Sequence, residues 1–126
     1  MDLQGKKLAA AQDALKTLES VLKEPVSTIV QDATIQRFEY TLDQIWKVLQ
    51  YILEEQEGLR VPSPKAAFRA WGTTHHLPAP MIEELLRMVD DRNRTTHLYN
   101  EETAHEIYLR IRRYTVLLRD LIDGID

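Results

Sequence analysis

The sequence predicts an all-α fold: four long helices in an up-and-down bundle, with one additional short helix in the long connection. Three observations carry that prediction. Apolar residues recur at steps of three and four through most of the chain, which is the period of a helix with one buried face. No segment alternates with the period of two that a half-buried strand requires. Four of the five prolines fall between Leu59 and Pro80, so the chain changes direction there and runs periodically on either side.

The elements follow in order. Leu8, Ala11, Leu15, Leu18 and Leu22 form one apolar stripe on a first helix from about Leu3 to Lys23, which Pro25 is expected to end. Ser27 is a suitable N-cap for a second helix running to Glu57, with Gly58 as its stop. Its stripe of Phe38, Leu42, Ile45, Leu49 and Ile52 is widened by Ile35, Trp46 and Leu53, too wide for a single neighbour. This helix should be central, and its surplus width, together with the clean stripe of the fifth helix, predicts a homodimer or a higher homo-oligomer. A short helix follows, capped by Ser63 with Pro64 at its first position and expected to end at Gly72. Pro80 opens a fourth, carrying Ile82, Leu85, Leu86 and Val89. Asn100 caps a fifth, whose first turn holds Glu101 and Glu102 as the helix dipole prefers. Its stripe is Ala104, Ile107, Ile111, Tyr114, Leu118 and Leu121.

Composition bounds the function. A chain of 126 residues fits one domain, residues 1–126. With no cysteine, disulfides, thiolate nucleophiles and thiolate metal sites are excluded. No apolar run approaches the roughly 20 residues of a membrane span, and the N-terminus lacks the blocks of a signal peptide, so a soluble cytoplasmic protein without membrane contact is expected. The net charge of −4 argues against a nonspecific nucleic-acid coat. Local distribution differs: Arg87, Arg92, Arg94, Arg110, Arg112 and Arg113 share one stretch with His97 and His105, against Asp90, Asp91, Glu101, Glu102 and Glu106. Arg94, Arg110 and Arg113 are candidate phosphate ligands, although Glu106 and Arg110 at i and i+4 also suit a simple solvated pair. The tandem His75-His76 has no carboxylate at ligand spacing, so no metal site is expected there and no cofactor elsewhere.

Chemistry concentrates in Arg92-Asn93-Arg94-Thr95-Thr96-His97-Leu98-Tyr99, which reads R-x4-H-x-Y. A guanidinium that stays charged beside an imidazole that titrates near neutrality can cleave RNA without a metal. Residues five apart lie about 140° apart around a helix, so Arg92 and His97 cannot share a face of an undisturbed one. Either the helix ends between them or two chains combine. Asn93-Arg94-Thr95-Thr96 is poor in strong helix formers, and a frayed or tightened turn is expected there. Asn93 and His97, at i and i+4, are spaced for an amide to hold the imidazole in one tautomer.

This stretch resembles the signature of the HEPN superfamily. The match is to the small helical proteins encoded beside a minimal nucleotidyltransferase, described as its substrate-binding subunit or as the toxin of a toxin–antitoxin pair. Two further segments agree with that branch: Arg37-Phe38-Glu39-Tyr40-Thr41-Leu42-Asp43-Gln44-Ile45-Trp46-Lys47, and Ser63-Pro64-Lys65-Ala66-Ala67-Phe68-Arg69-Ala70-Trp71-Gly72. The resemblance covers roughly residue 30 to the C-terminus.

The resemblance implies that two protomers bring two such motifs to one cleft, where an RNA 2′-hydroxyl attacks the adjacent phosphodiester. His97 would be the general acid or base, Arg92 would stabilise charge on the phosphoryl oxygens, and Asn93 would position His97 or a phosphate oxygen. Tyr99 would be the position that the cognate nucleotidyltransferase modifies with adenylyl groups. Two classes stay open: a metal-independent endoribonuclease neutralised by adenylylation, and a non-catalytic subunit that holds a nucleotide or substrate for the transferase. The first is favoured because a pure scaffold has no chemical need for an arginine and a histidine together. Phe38, Tyr40 and Trp46 read as core or dimer contacts.

Overall fold

The computed structural model describes residues 2–97 and 100–125, and among these it holds five α-helices, one 3-10 turn and no strand. Helix α1 spans Leu3–Val21, α2 Thr28–Glu57, α3 Pro64–Thr74, α4 Ala79–Arg94 and α5 Glu101–Asp123, with the 3-10 turn at Thr95–His97. None of the described helices is long and apolar enough to cross a membrane.

Most starts and stops follow from side chains that satisfy the orphaned end groups of each helix. Asp2 accepts from the Gly5 amide at 2.7 Å, Ser27 from Val30 at 3.1 Å, Ser63 from Ala66 at 3.2 Å and Asn100 from Glu102 at 2.7 Å. Gly58 closes α2 in the left-handed conformation at φ 64°, where a side chain would be strained.

Two of the expected ends are displaced. Helix α1 stops at Val21 rather than at Lys23, because the chain tightens there: the Lys23 amide donates to the Ser20 carbonyl and Glu24 to Val21. Pro25 lies beyond the end instead of causing it. Helix α3 runs through Gly72 to Thr74. It ends in a Schellman motif in which Leu77 donates to the Gly72 carbonyl at 2.9 Å and His76 to Thr73 at 3.4 Å. His76 takes the left-handed position at φ 55° that glycine usually fills. Gly72 has a packing role: a Cβ there would lie 2.6 Å from Cδ1 of Ile82, so its absence lets α3 and α4 approach.

Helix α2, about 45 Å long at 1.5 Å per residue, packs against each of the other four helices. That explains its wide stripe. Phe38, Ile45, Leu49 and Leu53 are fully buried and Ile35 nearly so, all within a single chain. Trp46 is half-buried against the same core, while Tyr40 stays exposed. The surplus width on α2 is therefore covered by the chain's own helices and does not of itself call for a second copy. Ala11 and Ala14 on α1 are buried where α2 passes, and the Thr41 hydroxyl donates to the Ala14 carbonyl at 3.1 Å across that contact. Helix α5 buries Ile107, Ile111, Tyr114, Leu118 and Leu121 as its stripe requires, with Tyr108 and Ile122 added and Ala104 only half-buried. The Tyr114 ring stacks on Phe38 of α2 at 5.9 Å between centroids.

Candidate active site

The end of α4 is where the motif falls. Helix α4 stops at Arg94, between Arg92 and His97, and the chain tightens into the 3-10 turn Thr95–His97. The local cause is visible: the Thr95 hydroxyl donates to the Arg92 carbonyl at 2.6 Å and Thr96 to Asn93 at 2.8 Å, taking up carbonyls of the last turn. The tightened turn expected from the weak helix formers of Asn93-Arg94-Thr95-Thr96 is present. His97 and Asn93 are both exposed, and among the described residues neither side chain makes a hydrogen bond. Asn93 does not hold His97 in this arrangement; its carbonyl, not its amide, takes part in the turn. Leu98 and Tyr99 lie outside the described residues, so the position expected to carry adenylyl groups does too.

Arg92 turns to α2. Its Nη1 donates to Glu39 at 3.1 Å, and its Nε and Nη2 meet the two Asp43 oxygens at 3.4 and 3.2 Å. The preceding residue turns the other way, toward α5. The Asp91 carboxylate, 2% exposed, accepts from Arg110 Nε at 2.7 Å, Arg110 Nη2 at 2.9 Å, Arg94 Nη1 at 2.8 Å and the Tyr114 hydroxyl at 2.6 Å. Burial alone would raise the Asp91 carboxyl, but the bonds from Arg110 and Tyr114 and the charges of Arg110 and Arg94 outweigh it and hold the group below its usual range. Burial, followed by the bond to Asp91, pushes the Tyr114 hydroxyl up to about 12. Its bond to Asp91 raises Arg110 further.

The solvated pair of Glu106 with Arg110, the alternative to a phosphate-binding role, does not form, because the Arg110 fork is committed to Asp91 on the neighbouring helix. Arg113 pairs with Glu84 at 2.6 Å. Arg94, Arg110 and Arg113 are nonetheless brought together with Arg87 around one cavity of about 400 Å³ between α4 and α5, whose remaining lining includes Asp91, Glu106 and Tyr114. Carboxylates already occupy three of those arginines; Arg87 alone has no ion-pair partner among the described residues.

Asp91 is a structural centre that no motif in the sequence singles out. A signal existed: Asp91 continues the buried positions Leu85 and Met88 at steps of three, so a carboxylate stood on an apolar face and needed partners. The tandem histidines are likewise spoken for. His75 stacks on Trp71 at 3.9 Å between ring centroids, with its Nδ1 3.1 Å from the Trp71 carbonyl, and His76 ends α3.

Fold and site together define a small helical protein with an arginine and a histidine at opposite sides of a broken helix end. The family model "nucleotidyltransferase substrate binding protein like" matches residues 6–125, and the chain belongs to that family, the HEPN branch its motifs resemble. A Thermus thermophilus protein of known crystal structure is 40% identical, with a TM-score of 0.84 over 90% of this chain and 96% of that one. The MntA–HpeT toxin–antitoxin is similar in fold at 15% identity and a TM-score of 0.80, covering 98% and 96%. So is the tri-AMPylated Shewanella oneidensis HEPN toxin in complex with its MNT antitoxin, at 18% identity and 0.78 over the same shares. No curated protein matches the chain.

Proposed function

We propose that this protein is the toxin of a pair with a minimal nucleotidyltransferase and acts as a metal-independent endoribonuclease. The observation that carries the reading is the break of α4 between Arg92 and His97, which leaves an exposed imidazole just beyond a held guanidinium. It stands in a chain with the fold of the S. oneidensis HEPN toxin. The 2′-oxygen of RNA attacks the adjacent phosphorus and the bond to the 5′-oxygen breaks, giving a cyclic phosphate and a free 5′-hydroxyl. His97 takes the proton from the 2′-hydroxyl or returns one to the leaving oxygen, and Arg92 stabilises charge on the non-bridging oxygens. Asn93, exposed on the same turn, contacts a phosphate oxygen. The four long helices serve as an up-and-down bundle that presents this turn. Two copies pair so that two such turns share one cleft in the cytoplasm.

Neutralisation follows from Tyr99, two residues past His97. An adenylyl phosphate there adds bulk and negative charge where substrate phosphate must enter. The S. oneidensis toxin was solved tri-AMPylated with its antitoxin, which supports the same control here.

A second reading is favoured by one observation, the cavity of about 400 Å³ that gathers Arg87, Arg94, Arg110 and Arg113. A non-catalytic subunit would use that cavity to hold a nucleotide for the transferase. Purified protein incubated with RNA in the presence of a chelator separates the two. The nuclease reading expects cleavage that His97→Ala and Arg92→Ala each reduce on the order of 10²-fold or more. Nucleotide binding with no cleavage by a folded dimer selects the binding subunit.

A further inference from the structure

The second-helix segment that resembles the family, residues 37–47, places Glu39 and Asp43 at i and i+4. Two carboxylates at that spacing sit one turn apart on one face and repel by a few tenths of a kcal/mol. What offsets the repulsion comes from another helix: Arg92 of α4, the arginine of the R-x4-H motif, lies between them. Glu39 takes Nη1 at 3.1 Å, and Asp43 takes Nε and Nη2 at 3.4 and 3.2 Å. Nearly four-fifths of the Arg92 side chain is covered, at 21% exposure, while Glu39 and Asp43 stay partly open at 29% and 40%. A guanidinium has five N–H donors in a rigid plane, and three are directed at these carboxylates. One N–H on each terminal nitrogen is left.

We propose that Glu39 and Asp43 are positioning residues, which lock the plane of the Arg92 guanidinium so that its two remaining N–H groups face the substrate phosphate beside the 3-10 turn. The proposal rests on the nuclease reading for its consequence but not for the clamp itself. With two carboxylates around one guanidinium the local charge is −1, so Arg92 does not draw phosphate by charge. Its contribution is direction. Misplacing a catalytic group by about 1 Å is enough to cost 10²-fold in rate. The second-helix segment thereby gains a function, which is to orient the arginine that opens the R-x4-H motif on the helical side of the break.

Electrostatics and positioning predict opposite signs, and that makes the test decisive. Removing two negative charges beside a phosphate site should tighten RNA binding and speed the reaction if the carboxylates merely restrain or sequester Arg92. If they position it, Glu39→Gln with Asp43→Asn should lower kcat by roughly 10²-fold while KM stays level or falls. The side-chain ¹H–¹⁵N signal of Arg92 Nε, assigned by its loss in Arg92→Lys, reports the clamp without any reaction. It should be resolved and slow to exchange in the wild type, and broadened or shifted to the free-arginine position in the double variant. Helicity and Tm within a few degrees of the wild type establish that the variant is folded, and the single variants Glu39→Gln and Asp43→Asn provide the same readouts should the double fail to fold. An unrestrained Arg92 Nε–H in the wild type, or a folded variant with kcat unchanged or raised, overturns the proposal. A wild type that holds Arg92 yet cuts no RNA overturns the nuclease reading instead, and leaves the clamp as the device that orients a binding arginine.

Discussion

The Tyr114 hydroxyl donates to the Asp91 carboxylate at 2.6 Å inside the protein, where both residues are almost wholly covered. Asp91 sits one residue before Arg92, so this bond and the Arg110 fork fasten the end of α4 to α5, as Glu39 and Asp43 fasten it to α2. The turn that carries His97 begins from a helix end held on both sides.

Asp91→Asn should destabilise the fold. It removes a buried charge on which two arginines and a tyrosine converge, and a buried pair broken on one side costs about 3–5 kcal/mol. Arg110 is 37% exposed and Arg94 62%, so water takes up part of the loss and roughly 2 kcal/mol is expected. Urea unfolding checks this, and Arg110→Met added to Asp91→Asn should recover part of the loss by removing the unpaired cation. Equal stability of wild type and Asp91→Asn would contradict the account.

The same pair sets two limbs of the pH profile. Tyr114 is raised from 10.0 to about 12 in the folded chain, so its contribution is complete below pH 10 and is lost as pH rises toward 12. Asp91 is lowered, so its contribution is complete above the ordinary carboxyl range of about 3.9 and is lost as pH falls below that. The difference in unfolding free energy between wild type and Tyr114→Phe should shrink between pH 10 and 12, by up to roughly 3 kcal/mol for a shift of two units. A difference that stays constant across that window would count against the shift.

His76→Gly should raise stability. His76 ends α3 in the left-handed region at φ 55°, where a side chain costs about 1 kcal/mol and glycine nothing. The expected gain is roughly 0.5–1 kcal/mol, read as a rise in Tm of a few degrees. A loss on this substitution would mean that the imidazole makes a contact worth more than the strain.

Gly72→Ala should do the reverse, even though alanine is the better helix former by about 1 kcal/mol. The new Cβ would stand 2.6 and 2.7 Å from Cδ1 and Cγ1 of Ile82, and overpacking of this kind costs about 1–3 kcal/mol. Ile82→Val, which removes Cδ1, should offset part of that cost in the double variant. If Gly72→Ala melts higher than wild type, Ile82 does not stand against Gly72 closely enough to exclude a Cβ.

The sequence by itself determined the helices and the break in α4. Periodicity, caps at Ser27, Ser63 and Asn100, the stop at Gly58 and the weak helix formers after Arg92 are local signals, because each depends on residues within one or two turns. Only the tertiary structure decided what the charged residues meet. Glu39 and Arg92 are separated by 53 residues and Asp91 and Tyr114 by 23, and helical periodicity carries no information across a loop. The end of α3 lies at Thr74, beyond the expected Gly72, for a related reason. Gly72 was legible as a glycine near a helix end, but its lack of a side chain serves the approach of Ile82 from α4, and the left-handed stop fell on a histidine. The arginines of α5 were legible as a cluster, while their partners depended on which face of α4 came to lie against them, a matter of packing between helices rather than of spacing along one.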